Sequence, residues 1–382
     1  MKCSTMKSIV LSFALGLSAN ASAAPTLQLL NMVGQSSAVV ATAVDYNTLD
    51  YGLYFFGNNR EAQKWTGAGN SYFNPSKPTM IYIHGWQKGA TQNRTRETFD
   101  RANAQAPVDL TNAWKNAGWN VGVCYWNQFA DENEVKDAEA KVWSAAGPQG
   151  MRWRKADGSY SNITISVSAG TMCANAIASA MAGFSGSQLR LVGHSLGAQM
   201  VINVAQQLSD KVDANQLPLK ARPARVALLD PAFMKDARSY LANRWTGEVA
   251  RGIVSFLKTK GMIFEAYRSS GVTSNSFIGD ANYDLLKMCA FTELESSYYG
   301  SFDFASKHEM AVWWYLWSMS FAAPATDLQQ PFHPANSMAK APSAITEDYR
   351  VNAQMNSGLK TLHNLGQGTR TPGDDSFRFA NK

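Results

Sequence analysis

The run Gly193-His194-Ser195-Leu196-Gly197-Ala198 places one hydroxyl between two glycines. It follows the apolar stretch 189–192 and precedes 196–208, where Met200, Val201, Val204 and Leu208 recur on one helical face. A serine between a strand and a helix sits on a sharp turn that pushes its Oγ out over the carboxyl edge of a sheet. Side chains at 193 or 197 would collide inside that turn, and the helix N-terminus beneath it favours developing negative charge. A bare G-x-S-x-G arises by chance in roughly one chain in ten of this length. The strand–turn–helix context is what makes Ser195 a candidate nucleophile.

A serine nucleophile needs a base, an acid to orient that base, and donors for the oxyanion. The chain has five histidines. His84 and His194 belong to the turns already implicated, while His333 and His363 fall in an irregular tail. His308 is therefore the expected base, opening an aromatic helix over 312–319, with His363 second. Asp230 ends the apolar strand 224–229, where active sites of open α/β sheets collect, and is the expected acid. Asp280, Asp284 and Asp303 are the substitutes, lying nearer His308 in sequence. The order Ser…Asp…His is that of α/β-hydrolases. The main-chain N–H groups of Leu196 and Trp86 are the expected oxyanion donors, because Gly85 ends the strand 79–84 and admits a close backbone approach. His308 is followed by Glu309 but residue 312 is Val, so H-E-x-x-H fails; no metal and no cofactor are expected. A histidine base predicts hydrolysis that falls on acidification.

These residues need strands to carry them. Apolar runs at 38–56, 79–84, 118–126, 189–192, 224–229 and 262–267 read as strands, and helical spacing appears at 168–184, 196–208 and 246–260, the last with Val249, Ile253 and Leu257 on one side. The stretch 95–116 is polar and helical in character. Alternation of the two patterns predicts an α/β fold, a mostly parallel central sheet with helices on both faces. Residues 127–165 read as an insertion, with a hairpin turn at Asp157-Gly158 and Trp143 and Trp153 as features of a candidate lid. Aromatic residues over 269–307, among them Phe277 and Phe302, form a second lid candidate. The tail after residue 322 reads as irregular.

Together, IYIHGW (81–86), NVGVCYW (120–126), LVGHSLGA (191–198), ALLDPAF (227–233) and SKHEM (306–310) resemble the pancreatic-lipase-like (neutral lipase) family of α/β-hydrolases, in the same order over about 78–320. The resemblance implies the α/β-hydrolase fold, ester hydrolysis, and the roles of nucleophile, acid and base for Ser195, Asp230 and His308. The chain departs from the family in its longer 127–165 segment, in lacking a clear cysteine pair before His308, and in having no C-terminal β-sandwich.

Composition bounds the rest. The 382 residues are 45% apolar and 17% charged, enough for a large core in a single α/β-hydrolase domain over 24–382. Lys2 and Lys7, the apolar run 9–17 and Ala21-Ser22-Ala23 read as a cleaved signal peptide over 1–23, which predicts a secreted or periplasmic protein. Removing Lys2 and Lys7 from 35 basic residues leaves 33 against 29 acidic ones, a dispersed net charge of +4 that does not point to nucleic acid. The expected partners are a small-molecule or lipid ester and, transiently, a lipid surface. Short-chain ester hydrolysis, acyl transfer, thioester or peptide hydrolysis on the same residues, and a non-catalytic binding role are the alternatives. Of the remaining cysteines, Cys173 and Cys289 are expected to pair, with Cys124 a buried thiol.

Overall fold

The computed structural model describes residues 44–101, 108–161, 163–271, 279–295, 298–327, 339–364 and 369–382. The expected signal peptide, the strand-like residues 38–43, Asn162, Phe277 and His333 lie outside them.

Eleven strands form one sheet: β1 (Gly52–Phe56), β2 (Ala62–Lys64), β3 (Thr79–Ile83), β4 (Asn120–Tyr125), β5 (Leu189–His194), β6 (Arg225–Leu229), β7 (Ile263–Arg268), β8 (Ala290–Glu293), β9 (Ala325–Thr326), β10 (Leu359–His363) and β11 (Ser376–Asn381). Their order is β9-β11-β10-β8-β7-β6-β5-β3-β4-β1-β2. From β4 through β3, β5, β6, β7 and β8 to β10 every neighbour is parallel; β1 joins β4 antiparallel, and β11 joins β10 antiparallel. Parallel neighbours need a crossover, and the helices supply it. The helices are α1 (Thr111–Asn116), α2 (Asn127–Ala130), α3 (Val135–Trp143), α4 (Ala169–Met181), α5 (Leu196–Asp213), α6 (Thr246–Thr259), α7 (Tyr283–Met288), α8 (Phe304–Ser318) and α9 (Asp348–Met355).

Period-2 alternation along the buried strands divides the core in two. In β3, Ile81 and Ile83 join the cluster under α4, α5 and α6, while Met80 and Tyr82 join the one under α1 and α8. The mostly parallel α/β sheet with helices on both faces, the α/β-hydrolase arrangement, is therefore present. Met200, Val201, Val204 and Leu208 all face the first cluster as their spacing predicts. In α6 the buried side is Ala250, Val254 and Leu257, turned about one residue from the predicted Val249, Ile253 and Leu257 stripe.

Four expectations are corrected. Among the described residues of 95–116 only α1 is helical; 100–101 and 108–109 pair as a short antiparallel ribbon, because Phe99 and Leu110 bury their rings and branches beside the sheet. The tail after 322 is not irregular: β10 and β11 extend the sheet, with Phe377 and Phe379 buried and the intervening Arg378 half-buried. Helix α8 begins at Phe304, four residues before His308, because the Asp303 side chain caps it by accepting the Ser306 N–H at 3.2 Å. The disulfide joins Cys124 on β4 to Cys173 on α4, whose Cα atoms lie 6.2 Å apart, and Cys289 is the free, buried thiol, donating to the Leu285 carbonyl. Sequence spacing cannot supply connectivity; the packing of α4 against β4 does.

Candidate active site

Ser195 follows β5 directly, at φ 56° and ψ −120°, and α5 begins at the next residue. A non-glycine residue there is strained, and such strain persists only where neighbours over-determine it. Here the Ser195 N–H donates to the Leu229 carbonyl at 3.0 Å, and its carbonyl accepts from Ala198 at 3.1 Å. A Cβ at Gly193 would strike the Gly197 carbonyl, and one at Gly197 the Ile83 carbonyl, so both glycines are required by the turn. Gly85 is required from the opposite side: a Cβ there would lie 2.8 Å from Ser195 Cβ and 3.3 Å from its Oγ.

Asp230 follows β6, at φ 40°, fully buried. Its Oδ2 accepts from His308 Nδ1 at 2.5 Å and from the Ser270 hydroxyl, and its Oδ1 accepts the N–H groups of Ser269 at 2.9 Å and Ser270 at 3.3 Å. With Nδ1–H bound to the carboxylate, Nε2 of His308 is the nitrogen left to take a proton. The ring is held from behind by His194, whose Nε2 donates to the His308 carbonyl at 3.2 Å with the two ring centroids 4.4 Å apart. Burial, and then the neighbouring His308, push His194 well below the ordinary imidazole range, which keeps it neutral beside the His308 ring. Among the described residues the Ser195 hydroxyl makes no hydrogen bond to His308 or to any other side chain; in enzymes free of ligand this contact is often long.

The alternative acids Asp303, Asp280 and Asp284 are engaged elsewhere or exposed. Asp303 caps α8, Asp280 accepts the Asn282 N–H at 2.6 Å, and Asp284 is exposed in the first turn of α7. His363 is bound to Asp375 at 2.8 Å and stacked on Phe377, in the C-terminal strands.

The loop after β3 completes the site. His84 is buried and pushed down to about 4 by that burial, so it is neutral. Its Nδ1–H donates to the Gly85 carbonyl at 2.9 Å, and its Nε2 accepts the Trp126 N–H at 3.3 Å. The Trp86 indole donates to the Glu132 carbonyl at 2.7 Å, leaving its main-chain N–H, like that of Leu196, without a partner among the described residues. Gln87 bridges Glu97 at 3.0 Å and Asn127 at 2.6 Å. Glu97, also bound by the Tyr82 hydroxyl, is raised to about 7 by burial.

The residues after Asp230 are anchored too. Glu139 of α3 is buried and raised by that burial. It accepts from the Met234 N–H at 2.8 Å and from Gln199 of α5 at 2.7 Å. Sequence reading missed Ser269, Ser270, Glu97 and Glu139, which are single polar residues outside any motif. It also treated 127–165 as a candidate lid, whereas its described part is tied down: Glu132 is buried against Lys141 at 2.6 Å, Arg152 at 2.6 Å and Tyr160 at 2.9 Å. The hairpin at Asp157-Gly158 forms as expected, with Arg154 bridging to Tyr160.

A groove of about 660 Å³ lies at the sheet edge between β1, β2 and α4, lined by Tyr51, Trp65, Trp153, Ile165 and Met172; Ser195, Asp230 and His308 do not line it.

No protein-family model and no curated protein sequence matches the chain. Solved structures similar to part of it include a poly(3-hydroxybutyrate) depolymerase from Bordetella parapertussis, at 12% identity over 70% of this chain and 79% of that one, with a TM-score of 0.28. A lipase-esterase related protein from Clostridium acetobutylicum is 12% identical over 69% of this chain and 93% of its own, TM-score 0.29. An esterase from Thermogutta terrifontis is 10% identical over 72% and 92%, TM-score 0.29. Likeness this slight says nothing about activity; the fold assignment rests on strand order and on the helices covering both faces.

Proposed function

We propose that this chain is a serine hydrolase of carboxylic esters, lipid esters foremost, working through an acyl-enzyme on Ser195. The observation that carries the reading is the Asp230–His308 hydrogen bond of 2.5 Å, made at the same sheet edge as a strained serine between a strand and a helix. A buried carboxylate holding Nδ1–H fixes the tautomer that leaves Nε2 free to act as base, and stabilises the imidazolium that follows. In this mechanism His308 takes the Ser195 proton as Oγ attacks the ester carbonyl. The oxyanion meets the N–H groups of Leu196 and Trp86. His308 then protonates the leaving alcohol, and water releases the acid by the same route in reverse.

Two features support lipid esters. The motifs resemble those of neutral lipases. In addition, Phe302, 85% exposed, sits beside Phe304 just ahead of His308, an apolar surface suited to contact with lipid. Export to a secreted or periplasmic location agrees with the N-terminal pattern and with the Cys124–Cys173 bridge, since disulfides persist in oxidising compartments.

The test is a panel of p-nitrophenyl esters of rising chain length, together with phospholipid, run on wild type and Ser195→Ala. Wild type is expected to hydrolyse the longer esters, and the variant to lose at least about 10⁴-fold. Wild type and variant equally inert on every ester would overturn the proposal, and a preference confined to short chains would replace lipid by soluble esters.

A further inference from the structure

The loop 84–91 is held almost wholly by the segment after β4. Trp126 donates its indole N–H to the His84 carbonyl at 2.8 Å, Glu132 accepts the Trp86 indole, and Asn127 holds the Gln87 side chain. One residue in this set is a fully buried charge. Asp131 accepts the Gly89 N–H on Oδ1 at 2.7 Å and the Thr91 N–H on Oδ2 at 2.9 Å. Arg154 from the 157–158 hairpin stands over it, with Nε 3.7 Å from Oδ1 and 3.3 Å from the Asp131 carbonyl. A carboxylate has two oxygens at a fixed separation, so it sets both the spacing and the direction of the two amides it binds. A buried charge is tolerated only when such partners are in place, so loop and carboxylate lock each other. Asp131 itself is anchored through its N–H to the Asn127 carbonyl at 2.9 Å, and the next residue, Glu132, by the buried Lys141.

We propose that Asp131 is a positioning residue for oxyanion stabilisation. Its carboxylate clamps the turn 89–91 and so holds the Trp86 main-chain N–H at the distance from Ser195 that the tetrahedral intermediate requires. The inference rests on the ester-hydrolase reading above. It makes the 127–161 segment a strut for the oxyanion loop. Donor geometry acts on the transition state and hardly on the planar ester, so the loss belongs in kcat.

The experiment compares wild type, Ser195→Ala, Asp131→Asn, Arg154→Lys and, as a control distant from the loop, Tyr72→Phe, whose hydroxyl bonds Glu61 beside the β1–β2 turn, each checked for cooperative unfolding. An ester that wild type hydrolyses is the substrate. A boronic acid, which mimics the tetrahedral intermediate, is the second probe. Asp131→Asn turns one acceptor into a donor facing an amide. It is expected to lower kcat by roughly 30-fold and to weaken boronate inhibition in parallel, with KM within about twofold. Arg154→Lys is expected to lower kcat by about fivefold with the same signature, and it decides the matter if Asp131→Asn fails to fold. Tyr72→Phe is expected to leave kcat within about twofold. The positioning role is overturned if the folded Asp131 and Arg154 variants keep wild-type kcat and boronate affinity, or if Tyr72→Phe loses as much as they do. A wild type as inert as Ser195→Ala overturns the hydrolase reading and this role with it. An active wild type with unaffected variants overturns this role alone.

Discussion

Strands β6 and β7 carry a charged cluster at each end, and helix α8 reaches both. Toward the amino end, Arg225 is fully buried against Glu265, with Nε–Oε1 at 2.7 Å and Nη2–Oε2 at 2.5 Å. Its other bonds go to the carbonyls of Ser343 at 2.6 Å and Thr346 at 2.7 Å and to Asp348 Oδ1 at 3.3 Å, while the hydroxyls of Tyr267 and Tyr315 fill the remaining capacity of Glu265, each at 2.7 Å. At the carboxyl end, Asp230 is just as buried and as fully bonded, yet it and Ser195 both stand at positive φ, and the imidazole it holds keeps Nε2 without a partner among the described residues. One end is closed electrostatically in every direction. The other is closed on all sides but one. The difference separates a cluster that pins the C-terminal segment 343–348 to the sheet from one that holds the proposed base.

Breaking the two ends separately sharpens that contrast. Arg225→Ala leaves Glu265 buried without its cation, and removing one partner of a buried pair costs about 3–5 kcal/mol of stability. Chemical denaturation should show that loss, while kcat of the protein that remains folded changes little. Ser270→Ala should do the reverse. It removes one hydrogen bond to the Asp230 oxygen that also binds His308. A hydrogen bond to a charged group is worth about 1.5–3 kcal/mol of stability, so the protein should lose no more than that, while the loosened carboxylate should cut kcat by about tenfold or more. If Ser270→Ala unfolds the protein and Arg225→Ala inactivates it without destabilising it, the division between the ends is wrong.

The smallest effect lies under the oxyanion loop. Burial raises Glu97 from 4.5 to about 7, so the folded state holds this proton more tightly than the unfolded chain does. Its contribution to stability is then fullest below about 4.5 and is lost as pH rises to about 7. Glu97→Gln cannot ionise and should show a flatter dependence of melting temperature on pH across that window. Equal slopes for wild type and variant would mean that Glu97 does not titrate there.

What was legible in the sequence follows from the same contrast. Ser195 stood out because its turn requires two glycines and a strand and helix around them. Asp230 stood out because a carboxylate ended an apolar strand, and His308 because chain order left few rivals. Asp131, Glu97, Ser269 and Ser270 carry no periodicity and match no motif. Asp131, Ser269 and Ser270 act through partners about 40 positions away and Glu97 through Tyr82, 15 positions away, and only the folded chain brings them together. The strands β10 and β11 were missed because their buried residues alternate with Lys360 and Arg378, a pattern that reads locally as a polar tail. The cysteine pairing failed for a related reason, since it depends on which face α4 turns toward β4.

The central claim is that His308, oriented by Asp230, makes one serine of this chain nucleophilic. Reaction with an activated alkyl phosphonate ester, followed by intact mass and peptide mapping, tests it directly. One adduct per chain is predicted, on the peptide carrying Ser195, and its formation should slow by orders of magnitude in His308→Ala. An unmodified wild type, an adduct on another residue, or equal labelling of His308→Ala would contradict the account.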